Sequence, residues 1–347
     1  MEIKKELFGQ TVDGRDVFLY TLQNKNGVSV SVSEYGAIIT SVIVPDKDGM
    51  MEDVALGYDT LEPYFTNNEF FGATVGRNAN RIAGATFEID GTRYNLPANE
   101  GSNNLHSAID NGFHKKLWVA SPDEARNCVT FSYISPDGEN GFPGTLDMKV
   151  SFTLTDEDAL DIHYEGISDK KTVINCTNHS YWNLAGHGNG TILDHFIKIE
   201  ASRYNPVGEG SIPTGENASV EGTPFDFREF RKIGERIDEK NAQLEITGGY
   251  DHNYVVDKPG LIAVVEERDC GRRMEVYSTL PGVQFYAGNY IRDGIAGKDG
   301  ATYRKRSGLA LETQFFPNAV NQEGFEKPIF SAGKKYSYTT TYKFTTI

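Results

Sequence analysis

Two histidines and one glutamate stand apart from the other ionisable residues. His179 lies in INCTNHSYWNLAG, where a short apolar run gives way to Asn178, Ser180, Tyr181, Trp182 and Asn183. An imidazole among amides, a hydroxyl and aromatic rings suits a sugar: its CH face packs on rings, and its hydroxyls need fixed donors and acceptors. The same residues would also make a buried aromatic corner with satisfied polar groups, and the sequence leaves both readings open. His106 follows the polar, glycine-containing ANEGSNNL, a loop of the kind that presents binding groups from a rigid scaffold. Glu312 sits in LALETQFFPN among Leu309, Leu311 and Phe315. Burial there raises a carboxyl pKa and makes a base suited to neutral pH, unless the carboxylate is spent on an ion pair, with Arg81 as one partner.

Other polar groups are placed to assist. Asp251 in GGYDHNYVV follows two glycines, a position open to a turn-making aspartate or to a hydroxyl acceptor. GATVGRNANRIAG lacks the Gly-Lys-Ser/Thr ending of a phosphate loop and no strand-then-long-helix pattern surrounds it, so a nucleotide site is rejected. Its Arg77, Asn78, Asn80 and Arg81 instead offer donors for hydroxyl or carboxylate groups. Of the seven histidines, His114, His163, His187 and His195 have no reactive company and read as structural. No HxH or HExxH spacing is present, so no metal centre is expected.

The elements that must position these groups are strands. Period-two alternation rich in β-branched and aromatic residues recurs along the chain, cut by Gly, Asp and Asn turns. In TFEIDGTRYNL, Thr86 to Leu96, Asp90-Gly91 supplies the positive φ angles of a type I′ hairpin turn. Thr145 to Ile167 repeats the pattern across a polar turn, and YSYTTTYKF near the end is a further strand. Only Phe227 to Asn241, with Ile233 and Ile237 four apart, offers a helical stripe. Turn residues are spread evenly and no repeat or linker marks a boundary, so residues 1–347 read as one large antiparallel all-β domain, a sandwich with few short helices.

Composition bounds the setting. The first residues build neither an apolar run nor a cleavage site of a secretory signal, and no stretch approaches the about 20 apolar residues of a membrane span. Cys128, Cys176 and Cys270 are odd in number and far apart, which fits a reducing cytoplasm. A formal net charge of -15 opposes nucleic-acid binding and leaves a neutral or cationic small molecule as partner.

Over essentially its whole length the sequence resembles the galactose mutarotases, or aldose 1-epimerases. GATVGRNANRIAG, NLH at 104–106, DGENGFPG, TNHSYWNLAG, GYDHNYV, LPGVQFYAGN and SGLALETQFFPNAVNQ occur in that family's order. The resemblance implies the galactose-mutarotase-like β-supersandwich and an enzyme, monomer or homodimer, that interconverts the α and β anomers of free hexoses such as galactose or glucose. It implies Glu312 as base, His179 as acid, and His106 as a second active-site histidine near the ring oxygen. It implies sugar contacts from Asn80, Arg81, Asp251, Gln284 and Tyr181, and no cofactor. One departure concerns the NLH loop, where Ser107, Ala108 and Ile109 stand where family members commonly have glycines directly after the histidine. Two competing functions are a carbohydrate-binding module without catalysis and a hexose-6-phosphate 1-epimerase, the latter needing cations such as Arg304, Lys305 and Arg306 around the sixth carbon.

Overall fold

The computed structural model describes residues 2–347, and strands dominate it. The largest sheet is antiparallel and nine-stranded. Its order is Val119–Asp123, Cys128–Ser135, Leu146–Leu154, Ala159–Ser168, Tyr336–Thr346, Arg272–Ser278, Gly260–Glu266, Phe196–Ile199 and Arg231–Lys232. The alternating runs expected at 145–167 and near the end are three neighbouring strands of this sheet. A five-stranded sheet from residues 4–53 covers one region, and a second five-stranded sheet carries the site.

That second sheet runs Ala218–Ser219, Arg203–Tyr204, Asp251–Val255, Gly282–Tyr286 and Ala310–Gln314. Its two faces differ because side chains alternate along each strand while directly paired residues share a face. Tyr254, Val283, Phe285 and Leu311 point into the common apolar core. Tyr342, on the long terminal strand of the nine-stranded sheet, donates to the Leu311 carbonyl at 2.8 Å, so the inner face is locked to the larger sheet. The opposite face carries Asp251, Asn253, Gln284, Glu312 and Gln314, since Asn253 pairs with Gln284 and Gln284 with Glu312.

The hairpin forms as the turn chemistry dictates, with Thr86–Ile89 paired to Thr92–Asn95 and Asp90 and Gly91 at φ 51° and 79°. The helical stripe at Phe227 to Asn241 does not form a helix. Arg231–Lys232 pair with Phe196–Ile199 as the edge strand of the large sheet, and Gly234 packs so closely on Leu193 that a Cβ would lie 2.9 Å from its carbonyl oxygen. Ile233 and Ile237 are buried as their spacing suggests, but tertiary packing holds them on a strand end and turns. The α-helix, Ala242–Thr247, starts one residue later, capped by the Asn241 side chain. Among the described residues no helix is long and apolar enough to cross a membrane.

Gly72 shows how tightly the site strands are seated. It has φ +66°, and a Cβ there would lie 1.9 Å from the Ile39 carbonyl oxygen, a backbone atom. Gly91, at φ +79°, has open space around it. We predict that Gly91→Ala costs about 1–2 kcal/mol, the penalty of a left-handed alanine. Gly72→Ala should cost clearly more, because main chain has to move; equal denaturation midpoints for the two variants would refute this.

Candidate active site

Three separate elements converge on one cavity of about 470 Å³. Glu312 projects from the middle of Ala310–Gln314, on the polar face of the site sheet. His179 ends the strand Thr177–His179, which is paired to Ala73–Val75. His106 follows the two-residue strand Asn104–Leu105, paired to Arg81–Ile82. All three side chains are buried and line the cavity. His179 Nε2 lies 3.6 Å from Glu312 Oε1, and the rings of His106 and His179 meet edge to face at 5.4 Å.

His106 has a fixed tautomer. Its Nδ1 accepts from the Asn80 backbone N–H at 3.1 Å, so the neutral ring carries its proton on Nε2 as a donor. Burial, then the neighbouring His179 and Arg81, hold its pKa well below the ordinary imidazole value. The trio His106, His179 and Glu312 has the make-up of a His₂-carboxylate metal set. With its Nδ1 lone pair committed to Asn80, however, His106 meets the site through an N–H, which is suited to a sugar oxygen and not to a cation.

The loop departure noted in the sequence is resolved by backbone geometry. His106 and Ser107 adopt φ 53° and 68°, the left-handed region a glycine enters freely. Ser107 keeps that conformation with compensating bonds: its Oγ accepts from Asn78 N at 2.8 Å and donates to Asn78 O at 3.1 Å.

Glu312 and His179 are shifted in opposite directions. Burial drives the Glu312 pKa well above the usual carboxylate value, Asp251 adds to this, and Arg81 partly offsets it. Burial lowers His179 to about 4. Both shifts favour the uncharged forms, which together hold one proton, and the two titrations belong to the pair. Glu312 Oε2 and His179 Nδ1 are buried without a protein hydrogen-bond partner, capacity that a polar ligand would satisfy.

Arg81 does not neutralise Glu312. Its Nε and Nη2 grip Glu100 at 2.7 and 2.8 Å, and Nη1 lies 3.9 Å from Asp251 Oδ2. Asn80, Arg81 and Asp251 line the cavity. Gln284 is buried behind Asp251, donating to Oδ1 at 2.7 Å, and is not part of the cavity wall. The two aromatic candidates separate: Tyr181 lines the cavity beside His179, whereas Trp182 is fully buried against Tyr342 and Phe344. Arg77 faces away, bound to Ser135 and the Pro136 and Pro143 carbonyls.

The remaining histidines have structural partners: Thr339 for His163, the Leu184 N–H for His195, and Tyr303 for His187. His114 is closer to the chemistry than its sequence context suggests. Its ring packs at 4.6 Å on Phe70, which also touches His106 and His179. Phe70, Glu69, Glu100, Tyr286, Tyr290 and Arg292 also line the cavity and were not singled out from sequence. Tyr286 alone carried a signal, lying two residues from Gln284 on the same strand face.

A family model described as aldose 1-epimerase matches residues 19–343. The chain is 42% identical to galactose mutarotase of Bos taurus over 347 residues, 99% of each chain. It is 36% identical to aldose 1-epimerase of Escherichia coli strain K12, with 96% of each covered. Among solved structures, galactose 1-epimerase from Lactobacillus acidophilus NCFM superposes with a TM-score of 0.88 at 28% identity, covering 99% of both chains. The mutarotase-like β fold expected from the motifs is thus the fold observed.

Proposed function

The chain belongs to the aldose 1-epimerase family and interconverts the α and β anomers of free aldoses, and we propose that Glu312 and His179 carry the reaction as a one-proton pair. The observation behind this assignment is their 3.6 Å approach, buried, at one cavity. Anomer exchange removes the proton from the C1 hydroxyl and delivers one to the ring oxygen. The C1–O5 bond breaks as the C1 aldehyde forms, rotation about C1–C2 presents the other carbonyl face, and the steps reverse. In this reading Glu312 takes the hydroxyl proton and His179 gives one to the ring oxygen. The pair begins and ends each half-reaction with one proton, so the step balances without a cofactor. His106, through Nε2–H, is the neutral donor that holds the ring-oxygen region. Asn80, Arg81 and Asp251 orient the hydroxyls, Tyr181 offers a ring face, and Gln284 acts through Asp251.

A free hexose, galactose or glucose, is the favoured substrate over a phosphorylated one. The cavity's cations are already paired, Arg81 with Glu100 and Arg292 with Glu69, which among the described residues leaves no free cation in the wall for a phosphate. Arg306 is tied to Asp238, and the basic run 304–306 lies outside the cavity wall. The catalytic pair likewise weighs against a module that only binds sugar. One apolar core with members from Ile3 to Phe344 supports reading 1–347 as a single domain. Free Cys128, Cys176 and Cys270 support a cytoplasmic setting, and the acidic chain a small-molecule partner instead of nucleic acid or membrane.

Two outcomes test the pair. Glu312→Gln should keep the cavity but lose roughly 10²–10⁴-fold in turnover, read by polarimetry on freshly dissolved α-galactose; near-normal turnover would refute the role. The pH profile has a definite sign. Below about 4 His179 takes a second proton and the base is lost, whereas above the raised Glu312 value the pair loses its only proton and the acid is lost. The rate should therefore fall on the acid side only near 4, in the region of ordinary carboxylate titration. An acidic limb near the free imidazole value of about 6.5 would contradict the pairing.

A further inference from the structure

Arg81 has five N–H donors in a rigid fork, and how they are shared decides what a sugar meets. Glu100 engages one edge, with Nε to Oε2 at 2.7 Å and Nη2 to Oε1 at 2.8 Å. That bidentate, charge-assisted geometry fixes the guanidinium plane. Only Nη1 is left toward Asp251, at 3.9 Å from Oδ2, beyond hydrogen-bond range. Asp251 is oriented too, since Gln284 occupies Oδ1. A cationic donor and a carboxylate acceptor thus stand side by side without being spent on each other. A hydroxyl entering the gap can accept from Nη1 and donate to Oδ2.

Glu100 is itself held firmly. Its N–H and carbonyl are both bonded to Asn103 across a tight turn, and the Asn99 side chain brackets Leu105 on the strand that leads to His106. Arg81 is fixed from the other side, its N–H donating to Asn80 Oδ1 and its carbonyl accepting from Asn318 N. The Arg81 main chain is held by its neighbours, whereas the guanidinium depends on Glu100 as its tether.

We propose that Glu100 is a positioning residue for the epimerase reaction, which keeps Arg81 from collapsing onto Asp251 and so holds open the donor and acceptor pair that grips a sugar hydroxyl. This rests on the acid–base reading above and extends it to how the substrate is oriented. Without Glu100, the nearest carboxylate for the freed guanidinium is Asp251, and closing on it uses up both sugar-binding groups. The same motion brings positive charge toward Glu312. The groups facing that carboxylate are His179, His106, Asp251, Arg81 and the phenols of Tyr181, Tyr286 and Tyr342. Of these, only Arg81 changes its tether.

The test compares Glu100→Gln, Glu100→Asp and the parent enzyme by polarimetry on α-galactose across pH, with thermal unfolding measured beside it. Glu100→Gln should raise KM about tenfold with a smaller fall in kcat, since orientation is lost while the pair remains. Its alkaline limb should move to lower pH, because the freed cation stabilises ionised Glu312. Glu100→Asp keeps the charge on a shorter stem; it should retain the parent alkaline limb and raise KM less. Parent KM and an unmoved limb in Glu100→Gln would overturn the proposal. So would a loss of unfolding temperature with KM and limb unchanged, which marks a merely structural ion pair. Glu312→Gln run alongside separates the two readings: full turnover there overturns the acid–base pair, whereas the KM comparison at position 100 is made on the parent base and stands or falls by itself.

Discussion

Desolvation of a single carboxyl is the constraint around which this cavity is organised. Glu312 is 2% exposed, and an ionised carboxylate at such a depth costs several kcal/mol unless something compensates it. A full salt bridge to Arg81 would compensate it and would also abolish it as a base. Instead the arginine is tied to Glu100, and the nearest ionisable neighbour of Glu312 is the imidazole of His179 at 3.6 Å. A buried imidazole resists charge as a buried carboxyl does, so one proton held between them removes both penalties. The pair is neutral when the proton rests on Glu312, and in the proposed reaction it is charged in the state that opens a sugar ring.

The sheet architecture makes this arrangement rigid. Asp251, Gln284 and Glu312 come from three adjacent strands whose opposite face is locked into the apolar core, so alternation alone presents them on one surface. The imidazoles arrive from outside that sheet. His179 ends a short strand paired with Ala73–Val75, and His106 is fixed by left-handed backbone and by Asn80. Phe70 packs on both rings, giving the two imidazoles a shared apolar wall. Orientation of this quality is what acid–base catalysis on a small, flexible substrate requires.

What could be read from the sequence follows the range of the forces involved. The hairpin at Thr86 to Leu96 was legible because Asp90-Gly91 determines it locally, and Glu312 because an acid amid leucines signals desolvation. The helix expected at Phe227 to Asn241 failed because pairing with Phe196–Ile199 and the contact of Gly234 with Leu193 are long-range. Tyr181 and Trp182 could not be sorted, since neighbours in an extended segment face opposite ways and nothing local says which face is wet. His114, Phe70 and Tyr290 enter from loops whose meeting no spacing encodes. Glu100 was in view within the NLH loop, but its partner lies 19 residues earlier and only the fold joins them.

The central claim, that burial holds the imidazole neutral beside the carboxyl in the free protein, is tested most directly by titrating His179 itself. Imidazole ¹⁵N chemical shifts from selectively labelled protein, assigned by loss of the signal in a His179 variant, report its charge with no turnover involved. The account predicts a neutral ring at pH 7 that gains its proton only near pH 4. A His179 that is already imidazolium at pH 7 in the free protein, facing an ionised Glu312, would contradict it.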